Sequence, residues 1–229
     1  MDPFALKKLN AARRARKAAV LLTDLGDGRD RVIEEGDPVA GALGEAIARA
    51  LHSGTAAQTT IDGRVFFINP HLPEPRMVII GAVHISQILA PMARMAGFEI
   101  VIIDPRTAFA TDERFGGFNL HAEWPDVVLK AQPLDRHTAL IAVTHDPKID
   151  DGPILAALAA KCLYIGALGS RKTHGSRVER LLAAGAKAPD INRIKAPIGI
   201  NIGATGPAEI AVAILAEVIA AFRLRPELL

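Results

Sequence analysis

Two short segments hold the residues with the most chemistry to offer. THDPKIDD, Thr144 to Asp151, sets His145, Asp146, Lys148, Asp150 and Asp151 directly behind an apolar run, Thr138 to Val143. A histidine beside a carboxylate can move a proton, and clustered carboxylates suit a hard cation. The plainer use of the later acids is structural, with Asp150 or Asp151 capping a helix that starts at Pro153. GALGSRK, Gly166 to Lys172, puts two glycines and a serine ahead of two cations. Ser170 is placed to cap a helix over Arg171 to Ala184, whose free N–H groups and partial positive charge suit a phosphate. A third turn, GAVHIS at Gly81 to Ser86, invites comparison with the dinucleotide fingerprint G-x-G-x-x-G, and Asp104 follows 23 residues after Gly81, as a ribose-binding acid should. The fingerprint is broken: Val83 and Ser86 stand at its second and third glycine places, which puts a β-branched side chain where backbone should approach a pyrophosphate. That argues against NAD(P) or FAD. Arg106 adds a cation near the same edge or pairs with Asp104, and His84 falls in the first turn of the following helix.

These residues need a scaffold, and the periodicity supplies one. From Met77 onward short apolar runs alternate with helical patterns: strand Met77 to Ile80, helix His84 to Ala96 stopped by Gly97, strand Glu99 to Ile103, strand Thr138 to Val143, helix Pro153 to Ala160, strand Cys162 to Ile165, helix Arg171 to Ala184, and a last helix, Pro207 to Phe222, behind the turn GATGP. Wholly apolar strands joined through helices predict an α/β fold, a Rossmann-like doubly wound parallel sheet with right-handed crossovers, whose glycine turns gather at the carboxyl edge.

The first 75 residues read differently. Ala18 to Asp24 and Arg31 to Glu34 flank GDGRD, and Ala57 to Ile61 and Arg64 to Ile68 flank Asp62 and Gly63, so two hairpins are expected. Between them Leu43, Ile47 and Leu51 line one face of a helix over Val39 to His52. An amphipathic helix leads the chain. The result is a small N-terminal α+β domain, closed by NPHLPEPR, whose Pro70, Pro73 and Pro75 are expected to end any central strand. The expected division is 1–75 for this unit and 76–229 for the Rossmann-like one.

Composition narrows the function. With 27 Lys and Arg against 25 Asp and Glu, the net charge of +2 is too balanced for nucleic-acid binding by counterion release. AEIAVAILAEVIAAF, Ala208 to Phe222, carries two glutamates and is too short for the roughly 18 residues of a membrane span. The one cysteine, Cys162, excludes an intramolecular disulfide and any Cys-based zinc site. A cytoplasmic protein is expected.

The runs VIIGAVHIS, VIIDPRTAFATDERF, LIAVTHDPKIDD, LYIGALGSRKTHGSRVERL, RIKAPIGINIGA and AEIAVAILAEVIAA, in that order from about Arg76 to Arg223, resemble the XdhC/CoxI family of accessory proteins for xanthine dehydrogenase and carbon monoxide dehydrogenase. The resemblance implies a Rossmann-type domain that binds molybdenum cofactor, as molybdopterin or its dinucleotide form, carried as cargo. It further implies protection of that cofactor during sulfuration and its delivery to the apo-molybdoenzyme, a non-catalytic maturation role. A sulfurtransferase as second partner and a homodimer are compatible with it. On this reading Gly81, His84, Asp104, Arg106, His145, Asp146, Gly166, Gly169, Ser170 and Lys172 fall on the family's motif positions. Ala82, Val83, Ser86, Thr144 and Arg171 complete the candidate cofactor-binding set. Two departures stand out. Many members have a second glycine where Val83 stands, and many have a Gly-Gly-Cys motif in a longer leading part, whereas no cysteine precedes Cys162. Cys162 itself reads as a small core residue.

Other readings start from the same residues. A nicotinamide or flavin oxidoreductase would use the Gly81 turn and Asp104, against Val83. A metal-assisted hydrolase would need His145, Asp146 and Asp104 to converge. A purely structural interaction protein would use the apolar face of the last helix, Ile210, Ile214, Leu215 and Val218, as a contact between copies instead of core.

Overall fold

The computed structural model describes residues 2–224. Asp2 caps the first helix, α1 (Pro3–Arg14), by accepting from the Ala5 N–H. Strands β1 (Ala19–Asp24) and β2 (Asp30–Glu34) follow, then helix α2 (Gly41–Ser53) and strands β3 (Ala57–Ile61) and β4 (Arg64–His71). The four strands form an antiparallel sheet in the order β2-β1-β4-β3. Alternation along β1 divides its side chains between two layers: Val20 and Leu22 pack with Ile47 and Ala50 of α2, and Ala19 and Leu21 pack with Leu9 and Ala12 of α1. At the β3–β4 turn Asp62 and Gly63 both take positive φ, 50° and 75°, as a tight two-residue hairpin requires.

Pro70 corrects one expectation, since β4 is a central strand and runs through it. The reason is local. Past Ile68, which pairs with Ala57 at the start of β3, only β1 lies beside β4, so the missing N–H of Pro70 breaks no ladder.

Glu74–Leu224 form a second compact unit. It contains β5 (Arg76–Ile80), α3 (His84–Met95), β6 (Glu99–Ile103), α4 (Asp112–Phe115), β7 (Asn119–His121), α5 (Pro125–Ala131), β8 (Thr138–Ala142), α6 (Pro147–Ala159), β9 (Tyr164–Ala167), α7 (Arg171–Ala183), α8 (Ala188–Ile191), β10 (Ile194–Lys195) and α9 (Pro207–Arg223). All six strands are parallel, in the order β10-β9-β8-β5-β6-β7. Numbered within the unit this is 3-2-1-4-5-6 read from the β7 edge, the Rossmann order, and the chain reverses direction across the sheet between β5 and β8. The parallel, doubly wound α/β fold expected from the strand pattern is therefore the fold observed.

Both faces of the sheet are covered, which explains the unbroken apolar strands. Met77, Ile79, Ile100, Ile102 and Ile141 pack against Leu89 and Ala93 of α3 and Ile214 and Val218 of α9. Val78, Ile80, Val101, Ile103 and Leu140 pack against Val128, Ile154, Leu158 and Leu181 on α5, α6 and α7. The last helix thus turns Ile214 and Val218 into the core, with Ile210 and Leu215 partly buried beside them. Tyr164 ties α9 to β9: its hydroxyl donates to Glu217 Oε2 at 2.5 Å, which also accepts from the Gly199 N–H.

Three further boundaries differ from the sequence reading. Helix α6 begins at Pro147, six residues before Pro153, because Asp146 caps it by accepting from the Lys148 N–H at 2.9 Å; Asp150 and Asp151 are helical residues, not caps. Strand β9 begins at Tyr164, since the Cys162 N–H donates to the Ala157 carbonyl and still belongs to the end of α6. GATGP is not a strand-to-helix turn, as it follows a long loop after β10. The amides there are already engaged, with Glu209 Oε2 accepting from Thr205 and Gly206.

Candidate functional site

In an open α/β sheet the crevice for a ligand lies beyond the carboxyl ends of the strands where the order reverses. Here that place is bounded by the turn after β5 and the loop after β8. Gly81 makes the turn possible. Its φ is +119°, and a Cβ there would lie 2.9 Å from Thr144 Cγ2 and 3.3 Å from Val143 Cγ2, so the β8 loop crosses the turn too closely for any side chain. Ser86, fully buried, donates its hydroxyl to the Gly81 carbonyl at 2.6 Å. Val83 is the N-cap of α3 with extended backbone and offers no side-chain hydrogen bond to the helix.

Asp104 is buried at the end of β6 with no exposed surface. Its Oδ2 accepts from the Ala82 N–H at 2.7 Å and from Arg106 Nη2 at 2.7 Å, and its Oδ1 accepts from the backbone N–H and Nε of Arg106, both at 2.9 Å. Burial alone would raise this carboxyl, but the hydrogen bonds from Arg106 and Ala82 overrule it and hold the group below the usual carboxylate range. This corrects the ribose-binding expectation. The acid is consumed inside the protein, and the group offered at the edge is the partly exposed Arg106 guanidinium, which also stacks over Phe109 at 4.6 Å. Asp146 and Asp150 also raise the affinity of Arg106 for its proton, which sets the β8 loop across from it.

The β8 loop is held from within. Thr144 accepts from the Asp146 N–H at 3.0 Å and donates to Asp150 Oδ1 at 2.7 Å. His145, exposed, sits between them at φ +64°. On the β9 side, Gly166 lies inside the strand, where a Cβ would come within 2.5 Å of Ile198, so its role is packing and not a turn as expected. Gly169 makes the turn at φ +134°, and Ser170 caps α7 by accepting from the Thr173 N–H at 3.1 Å.

The candidate residues therefore separate into two groups. Gly81, Ala82, Ser86, Asp104, Thr144 and Gly166 are buried and shape the edge. His84, Arg106, His145, Asp146, Ser170, Arg171 and Lys172 are exposed or partly exposed along it, with Val83 and Gly169 half-buried between.

Next to His145 and Lys172, a pocket of about 280 Å³ runs along α7, walled by Ser176, Arg177 and Arg180. All three lie inside the run LYIGALGSRKTHGSRVERL, yet none is among the candidate residues. One signal is present: Arg177 lies four residues before the buried Leu181, which puts a cation on the apolar stripe of α7.

Among the described residues no three His, Cys, Asp or Glu side chains stand together as a metal site, and none of the helices is long and apolar enough to cross a membrane. Cys162 is fully buried, and its burial, with the charge of Asp135 nearby, pushes the thiol up to about 12, which removes it as a nucleophile.

Comparison with known proteins agrees with this architecture. Residues 77–218 match the model of the XdhC Rossmann domain. The chain is 34% identical over 154 residues, 67% of its length, to a probable xanthine dehydrogenase subunit of Bacillus subtilis (strain 168), covering 44% of that protein. It is 31% identical over 155 residues, 68% of its length, to the molybdenum cofactor insertion chaperone PaoD of Escherichia coli (strain K12), covering 42% of that protein. It thus spans under half the length of both relatives. A crystal structure described as a xanthine dehydrogenase from Bacillus halodurans superposes with a TM-score of 0.64 at 23% identity, over 97% of this chain and 65% of that one, and shows the same fold. With its sheet order, its glycine turns and this match across most of the second unit, the chain belongs to the XdhC Rossmann-domain family.

Proposed function

We propose that the protein binds molybdenum cofactor as cargo, in the molybdopterin or dinucleotide form, shields it during sulfuration and hands it to an apo-molybdoenzyme of the xanthine dehydrogenase type in the cytoplasm. The observation that carries this reading is the division at the carboxyl edge. The NAD(P) route is obstructed, since Val83 replaces a glycine and Asp104 is already engaged by Arg106 and Ala82, whereas His84, His145 and Lys172 are exposed and Arg106 is partly exposed. Such an edge suits an anionic heterocycle that is held by charge and stacking and later released, and it offers NAD(P) no ribose anchor. The name of the Escherichia coli relative, a molybdenum cofactor insertion chaperone, supports the same cargo. A sulfurtransferase as second partner, and a homodimer, accompany the proposal.

The chemistry asked of the chain is binding, orientation and exclusion of water. Arg106 faces the cargo as a fixed cation because Asp104 holds its fork in place, and the imidazoles of His84 and His145 can each give and take one hydrogen bond. The test is anaerobic titration of the purified protein with released molybdopterin, in parallel with NADH, followed by gel filtration. Saturable co-elution of the pterin with no NADH retention is expected. Stoichiometric NADH retention without pterin retention sinks the proposal and restores an oxidoreductase.

A further inference from the structure

The pocket along α7 contains a buried cation whose hydrogen-bonding capacity is only partly used. Arg177 is 2% exposed and lines the cavity. Its Nη2 donates to the Leu168 carbonyl at 3.0 Å, but Nε and Nη1 are buried without a hydrogen-bond partner. A buried guanidinium with two idle donors is costly, and such groups are retained where a partner arrives from outside. The neighbouring Arg180 does not need that partner, as Asp151 accepts from its Nε and Nη2 at 2.6 and 3.2 Å.

The internal candidates for neutralising Arg177 are Asp150 and Asp151; Asp151 is engaged by Arg180, and Asp150 is poorly suited. It is 1% exposed, its Oδ1 accepts from Thr144, and its Oδ2 has no partner. Burial pushes its carboxyl upward, toward the neutral form, against the pull of Arg177. His174, beside them, also leaves a buried Nδ1 unpartnered, and burial with the charge of Arg177 disfavours its protonation. Three side chains are thus arranged around an incomplete network whose strongest member is a donor.

We infer that the α6–α7 pocket is a seat for a tetrahedral oxyanion of the phosphate class, with Arg177 as its buried anchor and Lys172 and His145 at its mouth. An idle nitrogen of Arg177 can donate to an oxygen of such an anion, the Ser176 hydroxyl is a further donor in the wall, and the start of α7 adds its partial positive charge. Size sets the limit. At about 280 Å³ the pocket lies at the lower end of the range for small-ligand sites, a size that suits a small anionic group. The anion is either the phosphate end of the cargo, in which case the inference rests on the function proposed above, or a free oxyanion.

The experiment is calorimetric titration of the full chain with inorganic phosphate at constant ionic strength, repeated with Arg177→Met, Lys172→Gln and, as a control for surface charge, Lys130→Gln on α5. Saturable binding by the parent and the Lys130 variant, weakened about tenfold or more in each of the other two, is expected. Lys172 is exposed, so its variant still decides the matter if Arg177→Met folds poorly. No saturable phosphate binding by the parent, or equal binding by all variants, overturns the seat. A second arm titrates molybdopterin. If the same two substitutions weaken its binding, the anion is the phosphate of the cargo; if pterin binding is unchanged while phosphate binding is lost, it is a free oxyanion. Phosphate binding with no pterin binding at all leaves the seat standing and removes the cargo proposal instead.

Discussion

The turn after β5 and the pocket along α7 both place an arginine and an aspartate beside the carboxyl edge of one sheet, and they treat them in opposite ways. At β5 the pair is complete. Asp104 accepts from Nε and Nη2 of Arg106 and from the Ala82 N–H, and both of its oxygens are used. At α7 the pair is unfinished, with Arg177 and Asp150 each buried and each holding unpartnered atoms. A satisfied buried pair serves the fold, and an unsatisfied one calls for a further explanation, which the proposed anion supplies.

This contrast can be broken experimentally. Removing the carboxylate in Asp104→Ala strands the Ala82 N–H and the guanidinium of Arg106, and should cost about 3 kcal/mol in denaturant unfolding, somewhat less than a fully buried pair because Arg106 is partly exposed. A loss under about 1 kcal/mol would show that Asp104 does not organise the turn. Gly81→Ala comes next, at roughly 2–3 kcal/mol, from its positive φ and the approach of Thr144. Thermal unfolding at unchanged stability would mean the β8 loop can retreat.

The two carboxyls should also respond to pH in opposite senses. Asp104 is held below its ordinary value, so its contribution is present above about pH 4 and is lost as pH falls through its lowered value. Asp150 is raised, so the folded state grips the proton harder than the unfolded chain, and stability falls as pH rises from about 4 through the raised value. Chemical denaturation across this range should therefore show Asp104→Asn flattening the acid loss and Asp150→Asn flattening the decline above it. Parallel slopes in both variants would end the distinction.

Smaller effects sharpen the picture. Ser170→Ala removes the cap of α7 and should cost about 1 kcal/mol. Arg177→Met, a swap of similar length, exchanges a buried idle charge for an apolar chain and loses one hydrogen bond to Leu168. Its stability should stay within about 1 kcal/mol of the parent. A loss as large as that of Asp104→Ala would make Arg177 a structural residue and not an anchor.

Much of the scaffold is legible because its causes are local. Short apolar runs such as Met77 to Ile80 and Glu99 to Ile103 can hardly be anything but buried parallel strands once helices follow them, and Ser170 announces the start of α7 three residues ahead of the amide it caps. The mismatches arise where a local sign has two meanings. Pro153 has the look of a helix start and lies within α6, since Asp146 and Pro147 supply a better one. Gly166 has the look of a turn glycine and is a strand glycine that makes room for Ile198.

The site is less legible than the fold. Spacing from Gly81 points to Asp104 but inverts its role, because spacing does not reveal that Arg106, two residues away, occupies both carboxylate oxygens. Arg177 is inconspicuous within a helix rich in charge. What the sequence determines by itself is the succession of strand, turn and helix and the family to which they belong, since propensity, caps and hydrophobic period act over a few residues. Only the tertiary structure decides which charges are matched and which are left over, because partners such as Asp150 and Arg177 come from separate helices and meet only when the sheet has brought β8 and β9 side by side.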